Sequence, residues 1–307
     1  MFSRFPRLTH LWRLLPLLAI LLLAGCQSTQ KSAASRTSAT KPIHVVTSLD
    51  FYGEVAQAVL GQHGTVDTII KSASVDPHDF EPTPQNATTV SHATLVLGNG
   101  LGYDAWLGKL VASDRNAPKY LRVGEDVLGL KTGVNEHVWY RPETMPKLAT
   151  ALAQQFGKQA PKYRAYYQKR ARAYQQQLKP LQRQIKQLQR SRQTQPVIAS
   201  EPVFDTALQA LGYQRISDRF EKAVENGTDP APRDLQRLQT AIRHRKVAFL
   251  VNNQQASSPT VKQLVRLAKQ SQVPVLNVTE TKPQGQTYVE WMSQQYTNLA
   301  RIQADQR

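Results

Sequence analysis

One cysteine, Cys26, stands in 307 residues. A disulfide within the chain is therefore excluded, as is a thiolate metal cluster, and any metal site must be built from His, Asp or Glu. Long hydrophobic runs are also missing. The one that stands out, Leu14 to Leu23, has ten residues, against the roughly 20 that a membrane-spanning helix needs. With a mean hydropathy of −0.46, a polytopic membrane protein is excluded. Nucleotide signatures are wanting too: no G-x-x-x-x-G-K-[ST] occurs, and Gly98-Asn99-Gly100-Leu101-Gly102 lacks the last glycine of a dinucleotide fingerprint because position 103 is Tyr. No serine nucleophile elbow is present. Acidic residues are few, 22 Asp+Glu against 39 Lys+Arg, for a formal charge of +17. That excess attracts the chain to anionic polymers and membranes and says little about fold. What the chain does have is length for about two domains and 40% apolar residues to give each a core.

The first 25 residues read as an export signal. Arg4, Arg7 and Arg13 precede the apolar run, which ends in Leu23-Ala24-Gly25-Cys26, a positive n-region, an h-region and a small-residue cleavage site. Leu-Ala-Gly-Cys resembles the lipobox of bacterial lipoproteins, which implies lipidation of Cys26 as the mature N-terminus, on the extracytoplasmic face of the cell membrane. Residues 26–42, rich in Ser, Thr, Ala and Lys, read as a flexible tether.

From Ile43 short apolar strands alternate with amphipathic helices: His44 to Ser48, Phe51 to Leu60, Val66 to Ile70, Pro84 to Ser91, Thr94 to Leu97, Asp104 to Val111. A second series runs Val197 to Ser200, Val203 to Leu211, Pro232 to Arg243, Val247 to Val251, Thr260 to Gln270, Val275 to Val278, Tyr288 to Leu299. The expected fold is α/β, with two lobes at 43–157 and 193–307, each a mostly parallel sheet flanked by helices. Between them, residues 158–192 place Tyr163, Tyr167, Ala171, Tyr174, Leu178, Leu181, Ile185 and Leu188 at helical spacing, which predicts one long connecting helix bent near Pro180. It carries 11 Lys/Arg and no acid. An exported chain has little occasion to meet nucleic acid, so the basic face is expected to be solvated or to contact an anionic wall polymer or lipid headgroups.

Six histidines follow the signal. His44 opens a strand, His63 sits in a turn, His92 closes a helix and His244 lies among arginines. His78 differs, in Asp76-Pro77-His78-Asp79-Phe80-Glu81-Pro82-Thr83-Pro84. Three prolines there stiffen a loop at a strand's carboxyl end, where open α/β sheets bind ligands. His137, in Asn135-Glu136-His137-Val138-Trp139-Tyr140, also lies in a loop before a helix.

Asp76-Pro77-His78 with Phe80-Glu81-Pro82-Thr83, Asn99-Gly100-Leu101-Gly102 before Trp106, and His137-Val138-Trp139-Tyr140 resemble the signature loops of zinc/manganese-type solute-binding lipoproteins of ABC transporters, the cluster A-I group that is TroA-like and ZnuA-like. The resemblance runs from about Ile43 to the C-terminus. It implies two lobes joined by a backbone helix, with one divalent cation between them on four side chains, two from each lobe. His78 and His137 match the first two ligand positions. The third follows the first strand of the second lobe, which places Glu201, and the fourth follows the last strand, which places Glu280. Two departures stand out: Glu136 replaces the commoner Pro of the second loop, and Glu280 replaces the usual Asp. Asp79, Glu81 and Asp205 are the nearby substitutes.

Two imidazoles with two carboxylates suit Mn²⁺ or Zn²⁺ and are poor for Cu(I). The lack of a His-rich loop leans toward manganese as the transported ion. The implied partners are a membrane permease and a separate ATPase, and the chain is expected to be a monomer with no enzymatic activity. Two other readings use the same residues: a surface adhesin attached through the lobes and the basic helix, and a metal-dependent hydrolase, which also needs an open coordination position and a general base.

Overall fold

Strand-forming runs buried on both faces organise the chain in a computed structural model, which describes residues 42–75, 77–78, 80–255 and 258–306. The expected signal, Cys26 and nearly all of the tether lie outside them, as does Asp79. Strand β1 (Ile43–Leu49) is almost wholly buried, as expected for a central strand covered on both sides. Helix α1 (Asp50–Leu60) and β2 (Gly64–Ile70) follow, then α2 (Pro84–Ser91), β3 (Leu95–Gly98), α3 (Ala105–Ser113) and β4 (Lys119–Arg122). The sheet is parallel with order β2-β1-β3-β4, Val45 standing opposite Val66 on one side and Leu95 on the other. Helix α2 begins where its sequence dictates: Thr83 and Asn86 form a reciprocal capping box and Pro84 occupies the first turn.

A turn of 3₁₀ helix (Val138–Tyr140) leads into α4 (Thr144–Gln159), and α5 (Arg164–Gln177) and α6 (Lys179–Arg190) then cross to the second lobe. There β5 (Ile198–Ala199) is followed by a 3₁₀ turn (Pro202–Phe204), α7 (Asp205–Leu211), α8 (Asp218–Glu225), α9 (Pro232–Arg243), β6 (Leu250–Asn253), α10 (Pro259–Gln270), β7 (Val275–Val278) and α11 (Tyr288–Asp305). This sheet too is parallel, in the order β5-β6-β7.

The sequence reading needs three corrections. The helix expected over 158–192 starts later and is split: Lys158 and Gln159 finish α4, Ala160 (φ −133°, ψ 76°) leaves helical geometry, and Leu178 separates α5 from α6. Pro180, which has no N–H for the carbonyl one turn back, sits in the first turn of α6 and is the physical reason for the break. Strand β4 escaped notice because Lys-Tyr-Leu-Arg at the sheet's edge buries only Leu121. Strand β6 lies at 250–253 rather than 247–251, which moves Asn253 to a strand end facing the site. The apolar stripe itself holds: Tyr167, Ala171, Tyr174, Leu178, Leu181, Ile185 and Leu188 are buried, and Tyr163 is half-buried.

One apolar core runs through both lobes. Its middle is an aromatic seam in which Phe51 lies 5.4 Å from Trp139 and 5.6 Å from Trp291, while Tyr140 lies 5.0 Å from Phe204, ring centre to ring centre. The outer face of the second sheet packs separately on α9 and α10 through Leu238, Ile242, Val261 and Leu264. Above the seam, the loops leaving the carboxyl ends of both sheets meet at one place, where ligands of parallel α/β sheets bind.

Leu181 is 5% exposed. Leu181→Asp is expected to bury an unpaired charge and lower the unfolding free energy by several kcal/mol. Lys186→Glu with Arg190→Glu, both on the exposed face of α6, should shift a urea midpoint by little. Equal tolerance of the two changes would overturn the assignment of the buried stripe.

Candidate metal centre

Glu280, just beyond β7, crosses to the first lobe. Its Oε1 lies 3.7 Å from His78 Nε2 and 3.6 Å from His137 Nε2, and it accepts a hydrogen bond of 2.8 Å from the Tyr103 hydroxyl. Donor atoms bound to one tetrahedral ion at about 2.1 Å stand roughly 3.4 Å apart, so this trio already has close to the spacing of a coordination face. His78, His137 and Glu280 each offer one atom within 4.8 Å of the others. Glu201, the fourth expected residue, lines the same cavity, of about 240 Å³, but stands outside that cluster. Its Oε2 accepts a 2.7 Å hydrogen bond from Asn253 Nδ2. Three of the four side chains are therefore gathered, while Glu201 is held by Asn253 at the same cavity.

Local sequence fixes the orientation of His137. The side-chain Oδ1 of Asn135 accepts from the His137 backbone N–H at 2.8 Å and lies 3.0 Å from Nδ1. With Nδ1 committed there, Nε2 is the nitrogen that faces Glu280, and the partner on Nδ1 fixes the orientation of the ring. The Asn135 amide donates to the Pro202 carbonyl at 2.7 Å, and Thr206 Oγ1 donates to the His137 carbonyl at 2.8 Å. The His137 loop is thus bonded directly to the second lobe. The glycine-rich loop serves the same end without a dinucleotide: Gly100 (φ 77°) lets Asn99 and Gly100 turn their N–H groups onto Asp104, at 2.6 and 2.9 Å. Tyr103 is thereby set over Glu280.

The electrostatics favour protons on Glu201 and His137. Burial pushes Glu201 up to about 7, against the pull of its Asn253 hydrogen bond, with the charge of Glu280 adding to the rise. Burial alone would lower His137, but the Glu280 carboxylate outweighs it and the imidazole is raised. For Glu280 burial acts upward, yet His137, Tyr103 and His78 together hold it below its ordinary value.

Of the nearby substitutes, Glu81 is exposed and does not line the cavity. Asp205 pairs with Arg215 at 2.6 Å. Burial and the charge of Glu221 push it up despite that arginine, and it does not line the cavity. His44 holds Asp67 at 2.8 Å and His63 stacks on Tyr163, as surface roles require. Residues the sequence reading gave no role are Tyr103, Asn253, Gln255 and Glu225, all close to the cavity. Asn253 was legible in principle as the end of β6. The others carry no signal in type or spacing.

The family model described as ZnuA, zinc-uptake complex component A periplasmic, matches residues 45–302. The manganese ABC transporter substrate-binding lipoprotein PsaA of Streptococcus mitis is 24% identical over 302 residues, covering 92% of this chain and 95% of that protein. The high-affinity zinc uptake system protein ZnuA of Bacillus subtilis (strain 168) is 23% identical over 256 residues, 78% of this chain and 79% of its own length. Among solved structures, the SBP FpvC from P. aeruginosa in complex with Ni²⁺ aligns with a TM-score of 0.71 at 19% identity, covering 87% of this chain and 98% of that one. This last likeness bears on the fold.

A carboxyl raised on folding stabilises the fold below its unfolded pKa, and that contribution is lost as pH rises through the folded value. For Glu201 the loss falls between 4.5 and about 7 and is on the order of 3 kcal/mol. Metal-free Glu201→Gln is therefore expected to melt above the wild type at pH 8 and close to it at pH 4.5. Parallel melting curves across that range would contradict the assignment.

Proposed function

The chain belongs to the family of zinc-uptake complex component A periplasmic proteins, and from that premise we propose that His78, His137, Glu201 and Glu280 hold its cargo ion. The chain is the substrate-binding component of a metal ABC transporter, and its substrate is Mn²⁺ or Zn²⁺. A permease and an ATPase are its implied partners, since one chain of this kind only captures and presents the ion. The matches do not favour the adhesin reading. We read the chain as a carrier, and the family is one of substrate-binding proteins, which leaves the hydrolase without support. An anchor at Cys26 and contact of the basic helix with anionic wall polymer or headgroups complete the proposal.

The single observation that supports the ligand set is the convergence of His78, His137 and Glu280 from three loops far apart in sequence, in a cavity that Glu201 also lines. Two neutral imidazoles and two carboxylates offset the charge of one divalent ion. Capture displaces the proton of Glu201 and that of His137, so binding releases protons and strengthens as pH rises through about 7. The shared core and the aromatic seam hold the lobes together, which makes release a small rearrangement around the ligands rather than a wide opening.

Competition titrations with Mn²⁺ and Zn²⁺ test the set. His78→Ala and His137→Ala should each weaken binding at least a hundredfold, Glu201→Ala and Glu280→Ala nearly as much, and all should lose the rise in melting temperature that the ion gives the wild type. Unchanged affinity in all four would refute the site. Separately, Cys26→Ala should release the protein from the membrane fraction; retention equal to wild type would refute the anchor.

A further inference from the structure

The described residues begin at Pro42, beside the amino ends of the first sheet. Ile43 opens β1 opposite Gly64 of β2, and β3 and β4 start on the same side, Leu95 opposite Lys119. All four strands are parallel, so this pole is the far end of the first lobe from the loops that carry His78 and His137. The end of α4 reaches it, Gln159 Nε2 donating to the Thr94 carbonyl at 3.3 Å. A 3₁₀ turn (Pro161–Tyr163) and the start of α5 complete it.

Its surface pairs aromatic rings with cations. His63, in the turn before β2, stacks on Tyr163 at 3.7 Å and stands across Tyr166 at 4.5 Å, ring centre to ring centre. Lys162 Nζ lies 4.8 Å from the centre of the Tyr163 ring and Arg170 Cζ 5.7 Å from that of Tyr166, and both tyrosines are half-buried. Lys158, Lys162 and Arg164 are exposed here, as are Arg115 and Lys119 where β4 begins. Among the described residues the acids of this pole are already engaged: Asp67 pairs with His44 at 2.8 Å, and Asp114 accepts from the Asn116 N–H at 2.8 Å. Cations beside tyrosine rings suit the interface of an anionic bilayer, where the rings sit at headgroup level and the charges meet phosphate. Cys26 lies 16 residues before Pro42, a span of at most about 58 Å. Tethering this short gives an effective concentration on the order of millimolar, so a contact too weak to hold a free chain is still occupied.

We infer that this pole is a peripheral membrane contact, in which Lys158, Lys162 and Arg164 meet anionic phospholipid headgroups and the edges of Tyr163 and Tyr166 sit at headgroup depth. The inference rests on the anchor at Cys26 proposed above, and it assigns the basic surface around the start of α5 to lipid rather than to wall polymer. A chain seated this way turns its metal cavity away from the bilayer to receive an ion. Presenting the ion to a permease then requires it to lift off, which a weak electrostatic contact permits.

The test uses the acylated full-length mature chain, reconstituted into vesicles of phosphatidylcholine with or without an equal part of phosphatidylglycerol, each carrying a headgroup-linked nitroxide as quencher. Acylation occupies the Cys26 sulfur, so Gln62→Cys or Lys131→Cys supplies a single thiol for a fluorophore, the first at this pole and the second beyond the carboxyl end of β4. At low salt the label at position 62 should be quenched about threefold or more above the label at 131 on anionic vesicles, and the two should be equal on phosphatidylcholine alone. Lys162→Glu with Arg164→Glu should abolish the difference, whereas Lys186→Glu with Arg190→Glu, the same charge change on α6, should leave it. Circular dichroism establishes that each variant is folded. Equal quenching of the two labels on anionic vesicles, or loss of the difference with the α6 pair as well, would overturn the membrane contact. A label at 62 that responds to added polyphosphate but not to anionic lipid would assign the pole to a wall polymer and overturn it too. A chain that does not incorporate into vesicles at all refutes the anchor instead.

Discussion

The contact of Glu280 with the first lobe sets the conditions for everything around it. A largely buried carboxylate needs compensation, and a tyrosine hydroxyl and two imidazoles supply it. That arrangement requires the loop after β7 to reach across, and neighbouring bonds hold it there. The Tyr140 hydroxyl donates to the Thr279 carbonyl at 2.6 Å, Thr281 Oγ1 donates to the Ala73 carbonyl at 3.0 Å, and Lys282 pairs with Asp50 at 2.9 Å. The aromatic seam beneath them contributes the apolar part of the same junction. With α5 and α6 running from one lobe to the other along the back, the two sheets cannot separate widely without breaking a common core.

The junction also explains why the site is electrostatically poised. In the metal-free pocket, burial and the neighbouring charge of Glu280 disfavour the charged form of Glu201. Protons relieve part of this, most plainly at Glu201. In the proposed site a divalent ion relieves it better, and the free energy it gains by replacing protons would be the source of both affinity and pH dependence. Under the proposed ligand set, partial preorganisation belongs to the same balance: three donors near coordination spacing reduce the ordering that binding must impose, while Glu201 on Asn253 is the one still to be recruited.

Much of this was legible in the chain. Val/Ile/Leu runs separated by capped helices announce parallel sheets, and the stripe from Tyr167 to Leu188 announces a helix with one buried face, because both patterns follow directly from side-chain periodicity. His78 stood out by its position after a strand and His137 by its loop before a helix, whereas Glu201 and Glu280 emerged through resemblance, since an isolated Glu in a loop has no local signature. Edge strand β4 and helix α8 were missed because their apolar content is small; α8 buries just Phe220 and Glu221. The link from Asn135 to Pro202 and the link from Tyr103 to Glu280 span 67 and 177 residues, and no periodicity encodes contacts of that range.

Anomalous diffraction from crystals of the metal-loaded chain, recorded at the Mn and Zn absorption edges, addresses the central claim directly. The account predicts one ion bound by Nε2 of His78 and of His137 and by carboxylate oxygens of Glu201 and Glu280, at about 2.0–2.2 Å for zinc, with Glu201 turned away from Asn253. An ion found without His137 and Glu280 among its ligands would contradict it.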